Sequence, residues 1–305
     1  MSDAPESPWK KIPPRAARPD KRERERERER ERATREPQAA VRSPAASRER
    51  AMEMGEATPK LPSEQRIYGL NACQALFAQR PEAIRKVWLL ESRMQALKPV
   101  LAHCVKHRLG YTLVEAVDLE RLSGSAHHEG VVFGALPATE HSLSSWLQEL
   151  APGPQLALWL DGVGNPHNLG AILRSAAHFG VGALLLPRDS TLALSGAAAR
   201  IAEGGAEFVP MVRLGRSDNA LEQLKAAGFT VAATVVRGGA SLHKAKLPAR
   251  LVFVLGAEQA GVDPALAMAS PMQLEIPGRG AVDSLNVASA ASVLMSEWLR
   301  QHPSR

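Results

Sequence analysis

LALWLDGVGNPHNLGAILRSAAHFGVGALLLP, running from Leu156 to Pro187, decides the fold. An apolar run of strand length gives way to a turn, a helical pattern and a second apolar run, which is the signature of a β-α-β unit. The turn carries Asp161, Gly162, Gly164, Asn165, Pro166, His167, Asn168 and Gly170 ahead of the helix that holds Arg174. Ligands of parallel α/β sheets bind beyond the carboxyl ends of the strands, where helix amino termini offer free N–H groups. A helix starting near Asn168 places Arg174 in its second turn, with both side chains toward the sheet edge. The bland alternative is an ordinary turn followed by a surface arginine.

Outward from this unit, 305 residues with 45% hydrophobic content suffice for two domains with a sizeable core. The net charge is +6 and the pI is about 9.6. This balance favours anionic partners such as nucleic acid, but residues 1–64 supply about half of it, with 16 Lys+Arg against 13 Asp+Glu. Cys73 and Cys104 are too few for a disulfide framework or a four-ligand zinc site. No apolar run reaches membrane-spanning length and no signal-peptide core opens the chain, so a cytoplasmic protein is expected.

Residues 1–64 are rich in proline and poor in large apolar side chains, and a disordered tail is expected there. Its Arg-Glu alternation between Lys21 and Arg32 sets like charges at i,i+4 against opposite charges at i,i+3. Because each arginine has a glutamate neighbour, a solvating polyampholyte is favoured over an RNA-contacting arm. Residues 65–136 alternate helices and short strands in a small α/β domain. A helical spacing runs through Arg66 to Gln79, strands through VWLL from Val87 and YTLVEAV from Tyr111, a helix through Met94 to His107, and a last strand follows HHEGVVF from His127. His127, His128 and Glu129 lack a further His or Cys cluster to complete a metal shell, so they read as a polar loop or RNA contact. Residues 137–154 read as a linker with a short helix around Trp146.

From residue 155 onward the alternation continues. Ser195 to Glu207 reads as an Ala-rich helix, FVPMV as a strand, Leu221 to Ala227 as a helix, and Thr230 to Val236 and Leu251 to Leu255 as strands. The pattern implies a mostly parallel sheet covered on both faces. The last of these strands runs into Gly256-Ala257-Glu258-Gln259-Ala260-Gly261, where glycines admit a ligand and Glu258 is the only carboxylate. A third stretch, Leu274 to Gly280 and Val282 to Val287, leads into a final helix ending near Trp298, for which Ser284 is well placed as N-cap. That helix is rich in Ala and Ser, which suits close packing within the chain or against a partner helix.

DGVGNPHNLGAILRSAAHFG, LGAEQAGV and IPGRGAVDSLNVASAASVL, in this order and spacing, resemble the SpoU/TrmH family of RNA 2′-O-ribose methyltransferases within the SPOUT class. The first domain, with GLNACQAL and HHEGVV at its ends, is similar to that family's RNA-binding module, so the resemblance covers the chain from Arg66 onward. It implies an α/β fold, a parallel-sheet methyltransferase domain over residues 155–305 with a C-terminal trefoil knot, preceded by a small α/β substrate-binding domain and a disordered tail. It also implies AdoMet as cofactor, held by loops at Gly256, Ile276 and Leu285 with help from Thr234, and a homodimer formed through the knotted domain. The matching catalytic candidates are Asn168, Arg174, Glu258, Ser284 and Asn286, acting on tRNA or rRNA without a metal. Arg174 would orient the phosphate beside the ribose hydroxyl and stabilise the developing oxyanion, while the polar side chains hold the substrate in register.

The chain departs from the pattern at Gln259 and Ala260, where the family has a further glycine, and at Glu203, where a small residue is common. Altered substrate choice is expected rather than lost activity. Gly162-Val163-Gly164 suggests a dinucleotide fold, but His167 occupies the place of the third glycine. A non-catalytic RNA-binding or assembly protein on the same fold is the other rival.

Overall fold

The computed structural model describes residues 64–303, so the charged tail lies outside the described residues. The first domain is a four-stranded sheet of β1 (Gln65–Tyr68), β2 (Ile84–Leu89), β3 (Gly110–Leu113) and β4 (Val131–Ala135), in the order β1-β4-β2-β3. β4 runs antiparallel to both β1 and β2, and β3 runs parallel to β2. Helices α1 (Leu70–Gln79), α2 (Lys98–His107) and α3 (Ala116–Ser123) complete it. The helical spacing expected from Arg66 begins only at Leu70, because Ile67 and Tyr68 belong to β1 and fill cores on opposite sides of the sheet. Met94 likewise precedes the helix it was expected to open, which starts at Lys98.

The second domain is an eight-stranded, wholly parallel sheet in the order β10-β12-β9-β11-β6-β7-β8-β5. Its strands are β5 (His141–Ser142), β6 (Gln155–Asp161), β7 (Ala183–Leu186), β8 (Met211–Arg213), β9 (Thr230–Thr234), β10 (Ala240–Ser241), β11 (Arg250–Gly256) and β12 (Met272–Glu275). The helices are α4 (Leu143–Gln148), α5 (Pro166–Phe179), α6 (Gly196–Ile201), α7 (Ser217–Ala226), α8 (Pro264–Ala269) and α9 (Val287–Gln301). β6 explains the unbroken apolar run. Leu156, Leu158 and Leu160 enter one core with α5 and α9, while Ala157 and Trp159 enter the opposite core with α4, α7 and α8.

The span 137–154 does more than connect. β5 pairs with β8 at the sheet edge, and Leu143 and Trp146 of α4 are buried in the second core. The Ala-rich stretch from Ser195 is not one helix either. α6 ends at Ile201, Glu203 and Gly204 take left-handed backbone (φ 50° and 91°), and a short 3-10 turn spans Gly205–Glu207. Space forces this break, since a Cβ on Gly205 would lie 2.7 Å from the Leu173 carbonyl oxygen and one on Gly204 would lie 2.7 Å from Ala75 Cβ. Gly170, expected in a ligand turn, has a packing reason. Its Cβ would fall 2.6 Å from the Ala198 carbonyl oxygen, so it permits α5 and α6 to touch.

Candidate active site

α5 begins two residues before the expected start. Asn165 is its N-cap, accepting from His167 N at 2.9 Å, and Pro166 takes the first helical position. Asn168 therefore lies in the first turn, buried, and Arg174 in the third, exposed. Six residues along a helix separate them by about 9 Å and roughly 120° of rotation. The expectation that both point to one place is corrected by this geometry.

Asn168 meets Glu258 and Asn286 in a polar cluster. Asn168 Nδ2 donates to Glu258 Oε1 at 2.5 Å, and Asn286 Nδ2 donates to Asn168 Oδ1 at 3.1 Å and to Glu258 Oε1 at 3.3 Å. Asn286 Oδ1 caps α9, accepting from the backbone N–H groups of Ala288 (2.9 Å) and Ser289 (3.4 Å). Those donors fix the amide's orientation, because only its oxygen can accept from them. Nδ2 must then face Asn168, whose own amide is turned to give its N–H to Glu258. The helix end thereby presents Glu258 as an acceptor, and no protein donor reaches Oε2 among the described residues. Asn286, not Ser284, is the N-cap. Ser284 is exposed and forms no side-chain hydrogen bond among the described residues.

The Glu258 loop is tightly closed. Ala257 and Gly261 exchange backbone hydrogen bonds (3.1 and 2.8 Å), and Asp161 Oδ2 accepts from Asp263 N at 2.7 Å. Gly256 has no room for a side chain, since its Cβ would lie 2.0 Å from the Gly261 carbonyl carbon. Asp161 stood in the sequence as one more turn residue, and only the fold shows that it fastens this loop.

A cavity of about 690 Å³ opens beside the cluster, lined by the ends of β9, β11 and β12 and by the loop 277–285. Thr234, Gly256, Ile276 and Leu285 all line it, as do Glu258 and Ser284. Thr234 Oγ1 donates to the Val254 carbonyl at 2.8 Å, which ties β9 to β11 at the cavity wall. Leu285, Val236 and Val282 line the cavity yet remain 49%, 56% and 73% exposed. Such apolar surface, set among glycine backbone and polar groups, fits a ligand with both apolar and polar parts. An exposed Arg237–Asp283 ion pair (2.8 Å) joins two of the lining loops.

Arg174 does not line this cavity. It borders a groove between α5, α1 and the 203–208 turn, together with Asn71, Glu203 and Phe208. His128 and Glu129 are structural. His128 Nδ1 accepts from Gly130 N (3.0 Å), Glu129 accepts from Leu70 N (3.0 Å), and Glu129 also pairs with Arg200 of the second domain (3.1 Å). No group of three or more metal-ligating side chains occurs among the described residues. No helix among them is long and apolar enough to cross a membrane.

With this geometry in place, the likeness to known proteins has a structural meaning. The profile of the SpoU rRNA methylase family matches residues 155–296, and that of the RNA 2′-O ribose methyltransferase substrate-binding domain matches residues 66–139. An uncharacterized tRNA/rRNA methyltransferase of Escherichia coli O157:H7, YfiF, is 40% identical over 239 residues, covering 78% of this chain and 69% of that protein. The 23S rRNA (guanosine-2′-O-)-methyltransferase RlmB of Nitrosomonas europaea is 31% identical over 242 residues, covering 79% and 93%. The crystal structure of an AdoMet-bound rRNA methyltransferase from Sinorhizobium meliloti superposes with a TM-score of 0.66 at 23% identity, covering 88% of this chain and 98% of that one, and shares the fold. Two family profiles in tandem, each falling on one of the two sheets, show that the chain belongs to the SpoU rRNA methylase family of RNA methyltransferases.

Proposed function

We propose that this chain transfers a methyl group from AdoMet to a ribose 2′-hydroxyl of tRNA or rRNA in the cytoplasm. The observation that carries the reading is the Asn168–Glu258–Asn286 cluster at the side of a cavity lined by all four expected cofactor residues. AdoMet supplies an electrophilic methyl on a sulfonium. The exposed apolar faces of Leu285 and Val282 and the backbone at Gly256 and Ile276 suit an adenosyl group, with Thr234 at the cavity wall. Glu258 Oε2 and the free Ser284 hydroxyl would hold the ribose hydroxyl or its neighbours at the cavity mouth, and as the methyl passes to the ribose oxygen and the sulfur leaves as a neutral thioether, the hydroxyl proton would be released to solvent through the open acceptor Oε2. Arg174 orients the adjacent phosphate and stabilises the developing oxyanion.

Within one chain Arg174 faces the other groove, so this reading rests on the homodimer that the family resemblance implies. The partner's Arg174 then completes the cluster of the first protomer. A trefoil knot in the C-terminal segment is part of the same reading, supported by the grip of α9 on the loop 245–248, where Trp298 Nε1 donates to the Pro248 carbonyl (3.0 Å) and Gln301 Nε2 to the Ala245 carbonyl (3.0 Å).

The test is single-turnover transfer of labelled methyl groups to RNA from cells lacking the gene, with calorimetry of AdoMet binding and NADH as control ligand. Wild type should transfer, and Arg174→Ala should lose about 100-fold while binding AdoMet normally. Arg174→Lys should rescue little, because a point ammonium lacks the planar fork. Transfer by none of the proteins on any RNA pool would replace this reading with a non-catalytic RNA-binding protein.

A further inference from the structure

The groove that Arg174 borders is built by both domains and held open by contacts that leave little play. Its cavity is about 730 Å³. Arg80 grips Glu207 through two hydrogen bonds (2.6 and 3.0 Å), with Glu207 almost wholly buried, and Arg200 pairs with Glu129 (3.1 Å). Ala199 of the second domain belongs to the first domain's core. At Gly196 and Gly204 the two domains approach so closely that a Cβ would lie 2.3 Å from the Arg66 carbonyl oxygen or 2.7 Å from Ala75 Cβ. The RNA-binding domain is therefore fixed against the catalytic helix α5, and the groove between them is preformed.

Its walls carry three different chemistries. Arg174 is exposed and has neither an acidic partner nor a hydrogen bond among the described residues. Phe208 is 59% exposed, an aromatic ring on the lip. Glu203 is held in left-handed backbone at φ 50°, a conformation rare for a side chain of its kind, and its Oε2 accepts from Asn71 Nδ2 at 2.5 Å. No donor reaches Oε1 among the described residues. An interdomain tie does not require this strained residue, because the Arg80–Glu207 and Arg200–Glu129 pairs already supply one.

An arginine and a carboxylate in one groove repel and attract the same bare anion, so the site does not suit a free phosphate. They do suit a nucleotide, with phosphate toward Arg174 and base on Phe208. We infer that this groove seats a nucleotide of the RNA substrate next to the methylated one, and that Glu203 selects a base bearing an exocyclic amine. A carboxylate oxygen accepts only, so it matches the amino group of cytosine, adenine or guanine. In uracil the corresponding position is a carbonyl, which the carboxylate repels. The inference rests on the RNA-methyltransferase reading above and adds the base preference to it.

The discriminating experiment is fluorescence binding of the full chain to the ribo-oligomers C10 and U10, which carry an amine and a carbonyl at position 4 and differ besides only at N3, an acceptor in cytosine and an N–H donor in uracil. Wild type should bind C10 roughly fivefold tighter than U10, and Glu203→Gln should bring the two within about twofold, since an amide both donates and accepts. Phe208→Leu should weaken both by about tenfold through lost stacking, with AdoMet affinity unchanged as the check on folding. A preference for C10 that survives Glu203→Gln, or equal binding of both oligomers by wild type, overturns the inference. So does dissociation of the homodimer on sedimentation in Phe208→Leu, which would make Phe208 itself a dimer contact in place of a stacking platform for a base. Wild type that neither binds these oligomers nor methylates RNA would instead refute the RNA reading itself, whereas methylation without base preference refutes only the base selection.

Discussion

The two ends of α9 carry polar networks of similar size with opposite characters. At the amino end, Asn286 caps the helix and passes its remaining hydrogen bonds to Asn168 and Glu258, leaving a carboxylate oxygen without a protein partner among the described residues. At the carboxyl end, the bonds close upon the chain. Glu297 accepts from Arg300 (2.7 and 2.9 Å) and from Gln301 (2.7 Å), Gln301 Oε1 accepts from Leu247 N (2.9 Å), and Trp298 and Gln301 donate to the carbonyls of Pro248 and Ala245. A satisfied network fixes structure, whereas one with an acceptor left over in an accessible cleft is available to a ligand. One helix thus links fold and chemistry, with its clasped end anchoring the end that faces the cavity.

The contrast is broken most severely at Asn286. Asn286→Ala removes the cap and both hydrogen bonds that Nδ2 donates to the Asn168–Glu258 pair, so methyl transfer should fall by about 100-fold, while lost capping costs about 1 kcal/mol of stability. Ser284→Ala is the companion variant. It touches no cap, so it should leave the urea midpoint unchanged, and if both variants lowered stability equally the assignment of the cap would be wrong. At the other end, Trp298→Phe leaves the Pro248 carbonyl without its donor and should cost about 2 kcal/mol with AdoMet binding intact. Loss of AdoMet binding without loss of stability would show that the clasped end also serves the cavity.

How far the sequence shows this arrangement depends on the range of the interactions. The β-α-β unit is legible because Leu156 to Leu160 feed two cores at once and the turn residues stand in one local run. β1 is not, since Ile67 and Tyr68 merge with the apolar spacing of α1, and only pairing with β4 across more than 60 residues makes them a strand. Ser284 and Asn286 are equally good caps by residue type. What decides between them is Asn168 and Glu258, more than 100 and nearly 30 residues away. The cofactor candidates converge on one cavity because Thr234 and Gly256 end strands of the same parallel sheet, Ile276 follows the end of a third, and Leu285 lies on the loop that leads from that strand to α9. Arg174 shows the limit, since two residues of error in the helix start change its turn, and its six-residue offset from Asn168 turns it toward another groove. The Arg80–Glu207 clamp carries no local signal at all, joining side chains 127 residues apart.

The finest test of the comparison is acid, because the clasped end contains a titrating group with named partners, Arg300, Gln301 and His243. The hydrogen bonds from Arg300, and then from Gln301, hold the Glu297 carboxyl down at about 2, against an ordinary value of 4.5, although its burial opposes this. The folded state therefore binds a proton less readily than the unfolded chain. The resulting stabilisation is complete above an ordinary carboxylate pKa and disappears as pH falls from about 4.5 toward 2. Glu297→Gln cannot titrate. The difference in melting temperature between wild type and this variant should be constant from neutral pH down to about 5 and then close as pH approaches 2. At neutral pH methyl transfer should be unaltered below the melting temperature, because among the described residues Glu297 meets only the helix end and His243. A difference independent of pH would mean that the carboxylate's charge adds nothing at that end, and that shape and neutral hydrogen bonds alone hold the loop 245–248.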